Sequence, residues 1–398
     1  MSFNLKALPL AISVAMLPAL AVANDATDEK LAKLEQQVKS LQKQQTANLA
    51  DKFNFNGFIS VGYLSANNSA GYNNATTSAN FEEDSKLGFQ GTFNISDQTQ
   101  AVMQLMMRGE NDWDVEAEWA YISHRFDNGI QARAGKLRVP LFMYSDYLDI
   151  GYAQPFARPP LEVYGQIPFS SYTGGDISYD VEFDDSTLTL QGFGGQSEAE
   201  EDVALLDFSN LVGANLSWTD LTWTLRAVYG QASLEGYLKD ETGSPIMGID
   251  DEKATFTGVG ASYDNGSFLA ATEWTAVKVD GLLADTESAY LTVGYRIESF
   301  TPYVTVAYLK TTDEDFRSAL PPQIGVPLGL ALNRERTAYS LGLRWDAIDN
   351  VALKFDVTYA NDFGDTGGDL ESNDYNPLTG EFMYDSTTVY SVKIDAVF

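Results

Sequence analysis

Cysteine is absent from all 398 residues, and histidine occurs once, as His124. Without Cys there is no disulfide framework, no thiolate nucleophile and no thiolate metal site, and a chain this long without a thiol fits an oxidising compartment. One His leaves no imidazole cluster for a metal and no triad except one centred on position 124. His124 stands just before a predicted turn at Asp127-Asn128-Gly129 and reads as structural. Basic side chains are scarce as well: 25 Lys and Arg stand against 56 Asp and Glu, a formal net charge of −31. Such a polyanion repels nucleic acid, which is excluded as a partner, and it admits cations. Long apolar runs are the last shortage. Past residue 23 none reaches the roughly eighteen residues of a membrane helix, although 44% of the chain is hydrophobic. Composition suits one large barrel or a few ordinary domains without choosing between them.

The chain opens with Lys6, an apolar stretch over 7–22 broken by Pro9, Ser13 and Pro18, and then Ala21-Val22-Ala23 before Asn24. That layout predicts a secretory signal peptide over 1–23, cleaved after Ala23. The mature chain then carries 24 basic and 56 acidic side chains, a net of −32. Residues 24–51 form a second region. Its stretch 28–48 contains no Gly or Pro, and Leu31, Leu34, Val38 and Leu41 recur at a and d spacing. So short a helix is marginal alone in water. The pattern predicts a short coiled coil, formed when several copies are held together by the domain that follows.

From residue 52 onward the period is two, and sixteen strands are predicted. Short connections carry hairpin chemistry at Ser96-Asp97-Gln98, Asp127-Asn128-Gly129, Asp184-Asp185-Ser186, Thr219-Asp220, Asp264-Asn265-Gly266, Glu298-Ser299 and 347–350. Longer polar or acidic segments alternate with them, at 66–84, 139–172, 197–207, 233–253, 311–335 and 360–386. One parity of each strand is apolar. Leu87, Phe89, Phe93 and Ile95 alternate with Lys86, Gln90, Thr92 and Asn94, and Val351, Leu353, Phe355, Val357 and Tyr359 with Lys354, Asp356 and Thr358. A soluble sandwich would show the same alternation with the apolar side inside. Aromatic placement favours a bilayer: Phe93, Trp218, Trp223, Tyr263, Trp345 and Phe398 cluster near short turns, while Tyr63, Tyr229, Tyr308, Tyr339 and Tyr359 lie near the long loops.

The last strand sharpens this. Tyr390, Val392, Ile394, Ala396 and Phe398 share one parity, and the sequence ends there. An apolar strand edge would be a liability in water, and closure of a barrel in lipid removes it. The stretch resembles the closing strand and C-terminal aromatic signal of bacterial outer-membrane barrels. The resemblance implies the barrel-assembly machinery, outer-membrane lipid and lipopolysaccharide as partners. The expected fold is all-β, a 16-stranded antiparallel transmembrane β-barrel over 52–398 preceded by a short N-terminal α-helix. Pairing of the last strand with Phe53, Phe55, Ile59, Val61 and Tyr63 puts both barrel ends and the helix in the periplasm.

Charges on the polar parity are Arg108, Arg133, Arg226, Arg296, Arg344, Lys354 and Lys393, with Glu116, Glu118, Asp176, Asp180, Glu182, Glu273, Asp356 and Asp395; Lys86 is expected at the rim. In a solid core they would be very costly, so the interior is expected to be aqueous. The acid excess then lies in loops, such as Glu198, Glu200, Glu201 and Asp202, as a solvated face or as a rim taking Ca²⁺ or Mg²⁺ between anionic headgroups. No other cofactor is expected.

Segment 139–172 is too long for a plain connection. It holds Tyr144, Asp146, Tyr147, Asp149, Arg158, Glu162 and five prolines. Taken with the strand pattern, residues 52–398 resemble the sixteen-stranded trimeric porins of Gram-negative bacteria, and the preceding helix resembles that of porins bearing a periplasmic coiled coil, including phosphate-selective and DcaP-type channels. The resemblance implies a homotrimer whose third long loop folds into the barrel, setting Asp146, Asp149 and Glu162 against wall arginines such as Arg108 and Arg133. Opposed charges of that kind favour polar solutes. Lys136 and Arg138 depart from the pattern, since their parity points to lipid unless a bulge intervenes or they lie above the hydrocarbon. The expected function is passive diffusion of small hydrophilic solutes and ions, without catalysis and with weak cation preference. A channel selective for phosphate or dicarboxylates, and an outer-membrane barrel enzyme, are the alternatives.

Overall fold

Sixteen strands close on themselves through antiparallel pairs in the computed structural model, which describes residues 36, 39, 52–201, 204–239 and 242–398. In chain order the strands are β1 (Phe53–Ala66), β2 (Lys86–Asn94), β3 (Thr99–Arg108), β4 (Val115–Arg125), β5 (Gln131–Arg138) and β6 (Ser171–Glu182). They continue with β7 (Thr187–Glu201), β8 (Ala204–Thr219), β9 (Trp223–Lys239), β10 (Pro245–Asp264), β11 (Phe268–Val279) and β12 (Thr286–Tyr295). Last come β13 (Phe300–Thr311), β14 (Glu335–Ile348), β15 (Val351–Asn361), a small loop hairpin of β16 (Tyr375–Asn376) and β17 (Glu381–Phe382), and β18 (Thr387–Val397).

The seam is β1 with β18, in register from Phe58 opposite Val397 to Ala66 opposite Val389. Beyond it, the backbone N–H of Gly57 donates to the Phe398 carbonyl at 2.8 Å and the N–H of Phe398 to the Gly57 carbonyl at 2.9 Å. The Phe398 ring lies so close to Gly57 that a side chain there would overlap it. It also meets Phe89 edge-on, with centroids 6.0 Å apart.

Alternation assigns the faces. Val304, Leu341, Val357 and Ile394 stand on the outside, exposed, while Thr275, Ser288, Thr292, Thr305 and Thr358 are buried inside. Near the short turns the outward aromatics touch across strands, as Trp223 does Tyr263 at 4.7 Å and Phe300 does Trp345 at 5.8 Å between ring centroids. Among the described residues no helix is long and apolar enough to cross a membrane.

Two expected loops are strand instead. Pairing runs unbroken from Ser197 opposite Phe208 to Glu201 opposite Ala204, and β9 and β10 stay paired as far as Lys239 and Pro245. The four strands β7 to β10 reach 15, 16, 17 and 20 residues, well beyond the roughly 9–11 that cross a bilayer, so one side of the wall stands taller. Its inner face carries Ala199, Phe208, Leu234 and Ile249, all buried, which hold the extension together.

Residues 1–52 make a separate unit. The signal peptide and Leu31, Leu34, Val38 and Leu41 lie outside the described residues. Gln36 and Lys39, which are described, are α-helical and exposed.

Lipid exposure predicts a depth-dependent cost for charge. Leu341→Arg, in mid-strand, should destabilise the barrel by about 2–4 kcal/mol, and Ile348→Arg, beside a short turn, by about 0–1 kcal/mol; urea unfolding in lipid vesicles measures both.

Candidate functional site

The 32 residues between β5 and β6 fold into the lumen. Five prolines deny them a regular helix or strand, leaving short helical turns at Ser145–Tyr147, Gly151–Ala153 and Leu161–Tyr164. An apolar underside, with Leu141, Phe142, Tyr144, Phe156 and Val163, packs against wall residues Phe193, Phe256, Tyr290 and Tyr303.

A chain without ladder partners must still satisfy its carbonyls, and here cationic wall residues do so. Arg226 donates to the carbonyl of Pro140 at 2.5 Å. Arg344 donates to Tyr152 and Gln154 at 2.7 and 2.9 Å. Lys354 donates to Gly151 and Phe156 at 2.6 and 3.0 Å, and Lys393 to Ala157 at 3.0 Å. The hydroxyl of Tyr303 accepts from the Ala157 N–H at 3.0 Å and donates to Asp356 at 2.8 Å. On β11, Glu273 accepts from the Met143 N–H and the Tyr164 hydroxyl, each at 2.9 Å.

Ion pairs complete the docking. Asp149 accepts from Lys86 at 2.9 Å, Arg138 at 2.7 Å and Arg108 at 3.2 Å. Burial pushes its carboxyl up, yet Lys86, Arg138 and Arg108 outweigh burial and hold it well below the usual carboxylate range. Glu118 shares two of these partners, Arg108 at 2.6 Å and Arg138 at 2.5 Å. Glu162 pairs with Arg336 at 2.6 Å and accepts from Tyr72 at 3.2 Å. Arg158 donates to Asp84 at 2.7 Å and to Ser391 at 2.6 Å. Asp84, in the connection after β1, is raised by burial and lowered further by Arg158, Lys393 and Lys86, to about 2.

Several expected positions are therefore corrected. Glu162 is 1% exposed and turned from the lumen into its ion pair with Arg336. Lys354 is wholly buried behind the loop, with Asp395 at 2.8 Å, so it touches no open path. Arg296 lies in the turn after β12, bonded to Asp264 at 2.5 and 2.7 Å, at the short-turn mouth rather than along the wall. Arg138, the last residue of β5, is turned inward at 7% exposure onto Glu118, which a register shift leaves without a partner on β3, and onto Asp149. Lys86 reaches past the rim to the loop. Tyr144 and Asp149 are buried, whereas Asp146 and Tyr147 are exposed at the loop's free edge. Arg336 was missed, although it shares parity with Arg344 on β14.

Across from that edge, Arg133 forks onto Asp176 at 2.6–3.1 Å and lies over the Tyr121 ring at 5.4 Å. Gln191 donates to Asp176 at 2.9 Å and Asn215 to Gln191 at 2.5 Å, a polar rail over β5 to β8. Asp146 is within electrostatic reach of Arg133, Tyr121 and Arg226. Cavities lie on both sides of the loop. One of about 940 Å³ reaches the long-loop ends at Glu110, Glu198 and Glu200. Another of about 340 Å³ opens at the short-turn end beside Tyr147, Tyr152, Arg296 and Arg344. His124 bonds Thr99 at 2.8 Å and meets the Phe126 ring edge-on, with centroids 4.6 Å apart. Among the described residues no three His, Cys, Asp or Glu side chains are grouped as metal ligands.

A closed barrel with an apolar belt, a polar lumen and a loop folded across it defines an outer-membrane channel. The family model of the Gram-negative porin matches residues 13–377, and the chain belongs to that family; it is a passive diffusion channel of the outer membrane. Solved structures agree on the fold. The outer membrane channel DcaP of Acinetobacter baumannii is 12% identical with a TM-score of 0.54, over 87% of this chain and 97% of that one. An anion-selective porin from Comamonas acidovorans is 15% identical with a TM-score of 0.52, over 87% and 99%. The trimer form of OmpT of Vibrio cholerae is 13% identical with a TM-score of 0.54, over 87% and 99%. No curated protein sequence matches the chain.

The Asp84 carboxyl links docking to pH. Because its pKa is lowered from 3.8 to about 2, its contribution of about 2 kcal/mol is fully present above about pH 4 and lost as pH falls through 2. Asp84→Asn should remove that acid-range slope and cost on the order of 3 kcal/mol at neutral pH by stranding Arg158; urea midpoints between pH 2 and 7 report it.

Proposed function

We propose that the solute path runs between the exposed loop edge at Asp146 and Tyr147 and the rail of Arg133, Asp176, Gln191 and Asn215. The observation that carries this is the one-sided docking of the loop. Among the described residues its hydrogen bonds to the wall run to β2, β3, β4, β5, β9, β11 to β15 and β18, and none to β6, β7, β8 or β10. Water-filled space is left beside wall strands that give the loop apolar contacts, as Phe208 does Phe169, but no hydrogen bond. A negative edge facing an ion-paired, polar wall orders water and favours polar solutes over apolar ones.

Charge preference follows from the outer cavity. Its charged lining is Arg108, Lys136 and Arg138 against Glu110, Glu116, Glu118, Asp149, Glu198 and Glu200. Cations are concentrated there before they meet the loop. A channel binding phosphate or dicarboxylates has less support, since Arg108, Arg133, Arg158 and Arg336 are each matched by carboxylates. The enzyme reading has less support as well, since the lone His124 and the Thr99 hydroxyl it bonds line neither of the two cavities.

The working form is read as a homotrimer. Support comes from the trimer form of the Vibrio cholerae neighbour and from the a/d spacing of Leu31, Leu34, Val38 and Leu41, which three tethered copies would bring together in the periplasm after removal of 1–23. Tyr390, Val392, Ile394 and Phe398 are the row offered to the barrel-assembly machinery, and lipopolysaccharide is the outer-leaflet neighbour.

Planar bilayers test the path. The wild-type channel should show linear conductance in steps grouped by threes and a reversal potential of cation sign in a salt gradient. Asp146→Asn should weaken that sign without loss of folding; saturable block by sub-millimolar phosphate would overturn the non-selective reading. Deletion of residues 28–48 should leave conductance almost unchanged and lower the temperature at which the trimer dissociates on a native gel.

A further inference from the structure

The connection between β13 and β14 is unlike the other long loops. From residue 318 to 333 it has no charged side chain, in a chain with 56 acids. Within it lies an 11-residue helix, Pro322–Leu332, where Ile324, Val326, Leu328, Leu330 and Leu332 spread apolar surface around the whole circumference. Gly325 is its one buried residue. Ile324 is 52% and Val326 56% exposed. A helix apolar all round belongs inside protein or inside lipid, and here protein does not cover it. Its propensity is poor too, with Gly325, Gly329 and Pro327 in the interior, a composition tolerated better in lipid than in water.

Its mounting is rigid. Arg317, wholly buried, bonds Asn333 at 2.6 Å across the base of the loop, pairs with Asp313 at 2.6 Å, and reaches the carbonyls of Leu282 and Leu283 in the neighbouring connection at 3.4 and 3.3 Å. The strands that carry the loop end at the outer girdle. Tyr308 and Tyr339 are on the lipid face, and Lys310, on the same face as Tyr308, is the last such residue before the loop. The apolar helix therefore ends three residues before β14 begins at Glu335, just past the aromatic row of the strands that carry it. At roughly 1.5 Å per residue it is too short to span and long enough to lie flat.

We propose that Pro322–Leu332 is an interfacial anchor, seated in the headgroup–acyl boundary of the outer leaflet and holding its loop down on the membrane beside the pore mouth. The occupant of this surface is lipid.

The absence of native cysteine makes the test clean. Ile324→Cys and Val326→Cys, each labelled with an environment-sensitive fluorophore, are compared with Asp315→Cys in the purified full-length channel reconstituted into phosphatidylcholine vesicles. Labels at 324 and 326 should shift to the blue, lose intensity to lipids spin-labelled high on the acyl chain and resist aqueous iodide, while the label at 315 should do the reverse. Iodide quenching at all three positions would overturn the proposal. So would a blue shift without lipid quenching, which assigns the helix to a neighbouring protomer, or a large change in single-channel conductance for Ile324→Ser with Val326→Ser, which assigns it to the pore mouth. Preserved conductance in that double variant, with loss in it of the lipid quenching of a label added through Leu328→Cys, supports the anchor, and none of these readouts depends on the route of the solute.

Discussion

Hydrocarbon offers no hydrogen bond, so every backbone N–H and C=O that faces it must find its partner inside the chain. Ladder closure between β1 and β18 meets that demand and has a second effect. Once the outside must be apolar, period two sends most polar residues inward, and charged side chains such as Arg133, Asp176, Lys354 and Asp395 collect in the lumen. Basic and acidic side chains there are close enough to pair, and the loop after β5 enters as a further source of carbonyls and carboxylates.

The loop is therefore less a plug than a counterpart to the wall. Lys354, Lys393, Arg344 and Arg226 would each lose a partner without the carbonyls of residues 140–157, and those carbonyls would lose one without the cations. Docking is cooperative for that reason, and the Asp149 and Glu118 cluster locks the entry of the loop where β3, β4 and β5 end.

Much of the barrel was legible in residue order, because lipid imposes a strict alternation that strands such as β15 display without interruption. Misreadings arose where acidity was taken for irregularity: Glu198, Glu200, Asp207 and Glu235 are exposed, but the intervening Ala199, Leu206 and Leu234 kept period two, and the strand continued. Individual roles in the lumen were less legible. Parity told that Lys354 points inward, not that residues 151 and 156, two hundred positions away, would cover it. The inward turn of Arg138 at the end of its strand depends on Glu118 and Asp149, partners that parity does not reveal. Closure and bulges act over distances that spacing along the chain does not encode.

One trait of the docked loop bears on how such proteins diversify. The wall grips it largely by main-chain oxygens, at Pro140, Gly151, Tyr152, Gln154, Phe156 and Ala157, atoms that every residue type supplies. Substitutions at the exposed edge, Asp146 and Tyr147, leave this grip untouched. Permeability is thereby separated from foldability: a lineage facing a new nutrient or toxin can rewrite the lining of its pore one side chain at a time while the scaffold that holds the lining goes on assembling as before.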